Sequence, residues 1–181
     1  GNDFYSAWLD PGMTYSSALY SDGANDLESA QAAKFRALAK DTDIGPNDHV
    51  LEIGCGWGGF AEFAAREIGC KVTGLTISRQ QFDYASRRIA EAGLNEKVSI
   101  KFQDYRDETG LYDRIASIEM FEAVGEKFWP AYFSKLRSSL NSGGTAGLQV
   151  ITISEANFTY YRQRPDFIQR YVFPGDMLPT P

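Results

Sequence analysis

The stretch Glu52-Ile53-Gly54-Cys55-Gly56-Trp57-Gly58-Gly59 stands where a β-branched run turns into a helical one. Glycines at such a junction let the backbone turn tightly and approach a ligand, with the free N–H groups of the helix start facing it. By spacing, Gly54, Gly56 and Gly59 satisfy G-x-G-x-x-G, the dinucleotide fingerprint. A dinucleotide enzyme also has an acid about 20 residues further on to hold its ribose, and Thr73-Gly74-Leu75-Thr76 offers none. What is present is Glu52, two residues ahead of the first glycine. The stretch reads as a cofactor-binding loop, against the plain alternative of a tight turn. The sharpest catalytic candidate is Glu122, a carboxylate among apolar neighbours in Ile118-Glu119-Met120-Phe121-Glu122. It follows a strand-like run, and open α/β sheets place their ligands at that carboxyl edge. Metal chemistry is not expected, because Cys55 and Cys70 lack ligand spacing and His49 is the single histidine.

The elements that must position these residues show as alternation. From Asp48 to Ile153 short β-branched runs alternate with longer helical stretches, the signature of βαβ units and a parallel sheet. Strands are expected at His49–Ile53, Lys71–Leu75, Val98–Phe102, Arg114–Ile118 and Ala146–Ile153, the last entered through a turn at Gly143-Gly144. Helices are expected from Gly58 to Ile68, stopped by Gly69; from Ser78, whose Ser-Arg-Gln-Gln is a capping-box pattern, to Gly93; and from about Glu126 to Leu140. Leu27, Ala30, Ala33, Lys34 and Leu38 mark an amphipathic helix ahead of the first strand. A sheet ending at its fifth strand leaves an open edge, so either a fragment or a sheet completed by another element is expected.

Composition narrows the function classes. The 181 residues hold 18 Lys+Arg against 24 Asp+Glu, a net charge of -6, and no basic run of the kind that neutralises phosphates, so nucleic acid is not an expected partner. No stretch approaches the roughly 18 apolar residues of a membrane span. With 43% hydrophobic residues the chain can bury a core. Two cysteines make no disulfide framework, and Gly1-Asn2-Asp3-Phe4 has no signal-peptide character, so a reducing cytoplasm is expected. The oligomeric state is not legible.

With Glu52 ahead of it, the glycine loop resembles the E/D-x-G-x-G-x-G motif of class I S-adenosylmethionine (SAM) methyltransferases. Together with Trp8-Leu9-Asp10-Pro11-Gly12-Met13-Thr14-Tyr15-Ser16, Gly74-Leu75-Thr76-Ile77-Ser78, Met120-Phe121-Glu122 and Phe173-Pro174-Gly175, it resembles the central part of the cyclopropane fatty acid synthase family, which includes the mycolic acid cyclopropane synthases. The resemblance implies a Rossmann-like, doubly wound α/β sheet lacking its last strands here. It divides one domain into a cap over the cofactor (1–45), a SAM-binding core (46–153) and the start of a substrate-side insertion (154–181). It also implies site roles. Tyr15 and Ser16 would cover the methionyl part of SAM, and Glu52, Gly54, Cys55, Gly56 and Gly58 would form the loop beside it. Thr76 and Gln81 would contact the cofactor after the second strand, and Asp104 and Tyr105 would hold the adenine. Capping alone explains Gln81 equally well, and an ordinary turn explains Asp104. Glu122 matches the family's active-site glutamate, and Ser17 a cage for a bicarbonate ion that takes the final proton. Tyr15, Phe121, Phe158, Tyr160, Tyr161 and Tyr171 offer aromatic faces for a cation.

The implied reaction is attack of an alkene on the SAM methyl group, then proton loss to close a cyclopropane on an unsaturated phospholipid acyl chain. Contact with the membrane would be peripheral, through apolar residues or Arg162, Arg164 and Arg170, because the net charge repels anionic lipid. Two departures matter: the family commonly has cysteine where this chain has Ser17, and its histidine aligns with Ile151. Methyl transfer is thus better supported than ring closure. A methyl-branching or small-metabolite methyltransferase, a non-catalytic SAM-binding module and, more remotely, an NAD enzyme stay open.

Overall fold

The computed structural model describes residues 2–21 and 23–181. Strands β1 (His49–Ile53), β2 (Lys71–Thr76), β3 (Val98–Phe102), β4 (Tyr112–Ile118) and β5 (Leu140–Gln149) form one parallel sheet in the order β3-β2-β1-β4-β5. Around it lie α1 (Asn2–Ser6), α2 (Leu27–Asp41), α3 (Gly59–Phe63), α4 (Arg79–Glu91), α5 (Trp129–Ser138) and α6 (Glu155–Gln163). The chain starts mid-sheet, winds out through β2 and β3, and returns across β1 to lay down β4 and β5. The winding reverses between β1 and β4, which makes their carboxyl ends the switch point where such sheets bind ligands.

Period-two alternation fixes the two cores. Val50 joins Phe35, Phe60, Val72 and Ile89 on one face, while Leu51 and Ile53 join Leu75, Ile115, Tyr132 and Leu136 on the other. A parallel strand covered on both sides reads as continuous apolar sequence for this reason. Helix α2 starts on Asp26, whose carboxylate accepts from Ser29 N at 2.7 Å while the Ser29 hydroxyl caps the Asp26 backbone. Both partners together close a capping box worth about 1 kcal/mol.

Several elements differ from the sequence reading. The helix expected at 58–68 starts one residue later and widens into a π-helical turn over Ala64–Ile68 before Gly69. The helix expected from Glu126 opens as a 3-10 turn, and α5 proper begins at Trp129 with Pro130 in its first turn. Strand β5 begins at Leu140 rather than Ala146 and ends at Gln149 rather than Ile153. Between Tyr112 and Arg114 of β4, β5 advances from Leu140 to Thr145. Gly143 at φ +80 takes up the excess as a bulge, so the glycines lie inside the strand and not before it. His49 is half-buried, 2.9 Å from Thr73 Oγ1 and stacked edge-on to Tyr112.

Candidate functional site

Two loops leave the sheet side by side at the switch point: 54–58 from β1 and 119–125 from β4. In the first, Gly54 adopts φ +82, and a β-carbon there would lie 2.7 Å from Met120 of the second loop. Gly56 adopts φ +54 and faces open space. The first glycine therefore lets the loops touch, and the second keeps a chamber clear. That small chamber, about 40 Å³, is lined by Tyr15, Ser16, Glu52, Gly54, Cys55, Gly56, Trp57 and Gly59 among others. It shares Tyr15 and Trp57 with a wider cleft of about 240 Å³ that reaches Asn2, Tyr5, Gln81 and Phe173.

The roof of the chamber is the 10–17 segment. Asp10 turns it, accepting from Gly12 N and Thr14 N at 2.8 and 3.0 Å. Arg88, paired with Glu62, donates to Gly12 O at 2.7 Å and ties the turn to α4. Gln31 of α2 donates to the carbonyls of Thr14 and Ser16 at 3.1 and 2.8 Å. Above the loop, Trp57 Nε1 donates to Asn2 Oδ1 at 2.9 Å, and its ring meets Tyr5 and Tyr15 at 5.0 and 5.7 Å between centroids.

Of the residues singled out from sequence, Tyr15, Ser16, Glu52, Gly54, Cys55 and Gly56 converge on the small chamber, and Gln81 on the wider cleft. Cys55 is buried, and burial pushes its thiol pKa well up, so it offers bulk rather than a thiolate. Gly58, Gln81, Asp104 and Tyr105 take other local roles. Gly58 does not line the chamber: a β-carbon there would lie 3.1 Å from Ala85, so it lets α4 pack close, and Gly59 takes the lining position. Gln81 does not close a capping box; Ser78 caps its N–H, but its side-chain Oε1 accepts from Thr76 Oγ1 at 2.9 Å, which orders both at the end of β2. Asp104 and Tyr105 stand apart from both cavities. The Asp104 carboxylate is occupied by Arg106 at 2.6 and 3.0 Å, and the Tyr105 ring packs edge-on to Tyr132.

Glu122 lies in a 3-10 turn after β4, 4% exposed. One carboxylate oxygen accepts from Ile151 N, and the other, Oε2, is buried with no partner. Burial, foremost, raises its pKa, and it in turn helps raise that of Asp176. The residue also receives Met177 N on its carbonyl at 2.9 Å, which brings the Phe173–Met177 turn over the site.

Glu119 was not foreseen from sequence. It adopts φ +48, unusual for a residue with a side chain. The turn points its Oε1 at Ser17 N and Gln149 Nε2, both at 2.9 Å, so it latches the roof to the ends of β4 and β5. Gln149, not Ile151, is therefore the fifth-strand side chain that faces Ser17; it also donates to Ser17 O at 3.3 Å. Ile151 lies past the strand with its side chain 44% exposed and contributes only its N–H. This bears on the bicarbonate cage. The N–H groups of Ser17 and Ile151 and the amide of Gln149 are all taken by Glu119 and Glu122. The Ser17 hydroxyl and Glu122 Oε2 are the groups there that keep hydrogen-bonding capacity.

Among the described residues no helix is long and apolar enough to cross a membrane, and no cluster of metal-ligating side chains occurs. The family model described as mycolic acid cyclopropane synthetase matches residues 1–181. The chain is 39% identical to a probable fatty acid methyltransferase of Pseudomonas putida, over 98% of this chain and 46% of that protein. It is also 39% identical to the cyclopropane-fatty-acyl-phospholipid synthase of Escherichia coli strain K12, over 99% and 45%. It thus spans a little under half the length of these relatives. The crystal structure of mycolic acid cyclopropane synthase CmaA1 complexed with SAH and CTAB superposes with a TM-score of 0.90 at 28% identity, covering 99% of this chain and 66% of that one. A sheet in this order, a glycine loop and a buried glutamate at its switch point, and a family match from end to end place the chain in the mycolic acid cyclopropane synthetase family.

Proposed function

We propose that this chain is the cofactor-binding part of a SAM-dependent methyltransferase that acts on the double bond of an unsaturated phospholipid acyl chain. The observation that carries the reading is Glu122: a buried carboxylate, one oxygen unpartnered, at the switch point beside the loop that shapes the chamber. When bound, SAM supplies a methyl group on a cationic sulfur, an electrophile for an alkene. The rest falls to the chain's own residues. Gly56 leaves the chamber open, Tyr15 and Trp57 stand between it and the wider cleft, and Glu122, buried after β4 at the switch point, would stabilise positive charge that develops on the acyl chain. A carboxylate held ready in a dry site stabilises such charge without reorganising. Its raised pKa also makes it a better base than a solvated glutamate, and we assign Glu122 the task of taking or orienting the final proton, directly or through a bicarbonate ion.

Proton loss from the transferred methyl group closes a cyclopropane, the product we assign; loss from a neighbouring carbon leaves a methyl branch. Equal identity to a named methyltransferase and a named synthase does not choose between them. The lipid would approach over the Tyr160–Phe173 side, where aromatic residues stand exposed with Arg164 and Arg170 among them. The test is mass spectrometry of phospholipids from cells expressing the full-length protein and supplied with methyl-deuterated methionine. Gain of CD2 with loss of the double bond supports the assignment. Retention of CD3 gives the methyl-branched product, and no lipid-linked deuterium defeats the reading.

A further inference from the structure

Lys34 sits on the core-facing side of α2, 4% exposed, a rare place for an ammonium group. Its Nζ donates to Ser16 Oγ at 2.7 Å and lies 4.8 Å from the centre of the Phe35 ring. Among the described residues no carboxylate comes within 4.0 Å of it. A buried charge without a counter-charge is costly, so whatever justifies this one lies beyond Ser16. A hydroxyl that accepts from an ammonium still has its own hydrogen to donate. Ser16 lines the small chamber, and among the described residues its hydroxyl donates to no protein group.

The opposite charge stands on another wall of the same chamber. Glu52, at the end of β1, is 3% exposed, and its Oε2 is buried with no partner. The chamber thus holds a buried ammonium relayed through a hydroxyl and a buried carboxylate, unpaired with each other. Burial draws Lys34 down to about 8, against the fields of Glu119, Asp10 and Glu52, and pushes Glu52 up to about 8, against that of Lys34. A ligand end carrying both charges, a carboxylate beside an ammonium, would restore the charged form of each. About 40 Å³ suits such an end better than a nucleoside.

Resting on the SAM reading above, we propose that Lys34 is a positioning residue which, through Ser16, fixes the amino-acid carboxylate of the cofactor and so the direction in which its methyl group points. Gln31, one helical turn earlier, serves the same end by holding the Ser16 backbone.

The experiment is calorimetry on the full-length protein with two ligands, S-adenosylhomocysteine (SAH) and 5′-methylthioadenosine, which share the nucleoside and the thioether but of which only the first has the amino-acid end. Lys34→Met is expected to weaken SAH tenfold or more while methylthioadenosine changes less than twofold. Lys34→Arg is expected to keep most of the preference for SAH. Ser16→Ala, which leaves Lys34 packed, should show the same selective loss and serves if Lys34→Met does not fold. An equal loss for both ligands makes Lys34 a mere support of the roof and overturns the inference, as does unchanged SAH binding. A parent protein that binds neither ligand removes the SAM reading, and this inference with it.

Discussion

Around the glycine loop, the groups that form the chamber and its roof are gripped from far along the chain: the Ser17 backbone by Glu119, the Ser16 hydroxyl by Lys34, the Trp57 indole by Asn2. Between Ile151 and Phe173 the large side chains stand in solvent instead, with Tyr171 72% and Phe167 68% exposed. On the function proposed above, the contrast separates two tasks. A small charged ligand needs a dry, prearranged chamber, because electrostatic contacts gain strength only where water is excluded. A lipid chain has no polar group to orient and rewards apolar area laid open to it. The two regions meet at Glu122, whose carboxylate accepts from Ile151 N and whose carbonyl accepts from Met177 N.

That division is open to attack at its meeting point first. Glu122→Gln keeps the shape and removes the charge, so turnover of the full-length protein is expected to fall roughly a hundredfold or more with SAH affinity within twofold of the parent. A parallel loss of SAH affinity in calorimetry would move Glu122 into the cofactor end and blur the boundary. Next in size is Gly56→Val. At φ +54 a β-branched residue is strained by about 1 to 3 kcal/mol, and its side chain would project into the chamber, so SAH affinity should drop tenfold or more. Phe167→Ser combined with Tyr171→Ser should lower co-sedimentation with phosphatidylglycerol vesicles several-fold and leave SAH binding untouched; a change in SAH binding would show the regions to be one.

The same division has a signature in stability. The Glu52 carboxyl is raised from 4.5 to about 8, so the folded chain keeps a proton that the unfolded chain releases across that window. Stability of the unliganded protein should therefore fall as pH rises from about 4.5 to 8. Lys34, lowered from 10.5 to about 8, acts in the opposite sense, and stability should recover above pH 8. Thermal melts across pH 5 to 10 should show a minimum near pH 8, and Glu52→Gln should abolish the descending limb while keeping the ascending one.

Strands β1, β2 and β3 were legible because each is a short apolar run between turn residues, and β1 and β3 fall at the bounds read from sequence. The start of β5 was not: Asn141-Ser142-Gly143-Gly144 has turn composition, and only pairing with β4 makes it strand. The glycine loop was legible as a candidate binding site through its spacing, and Glu122 as a candidate through its apolar setting. Asp104 and Tyr105 came from the resemblance alone, and the structure gives them local partners. Lys34 had left a trace, since it interrupts the apolar stripe of α2, but spacing could not say what it faced. Glu119 left none, for nothing in Ile118-Glu119-Met120 requires a left-handed backbone, and its partners lie 102 and 30 positions away.

Those separations govern the order of events during synthesis. The roof leaves the ribosome before the sheet beneath it, yet Ser17 has nothing to fasten to until Glu119 and Gln149 have been made and β4 and β5 laid in place. Closing so long a loop is entropically costly and comes only after the shorter-range strand pairs have formed. Meanwhile Trp57, 6% exposed once Tyr5 and Tyr15 pack on it, is greasy surface on an unfinished chain. A nascent chain stalled before Gln149 would thus be a substrate for chaperones long before it could hold its cofactor.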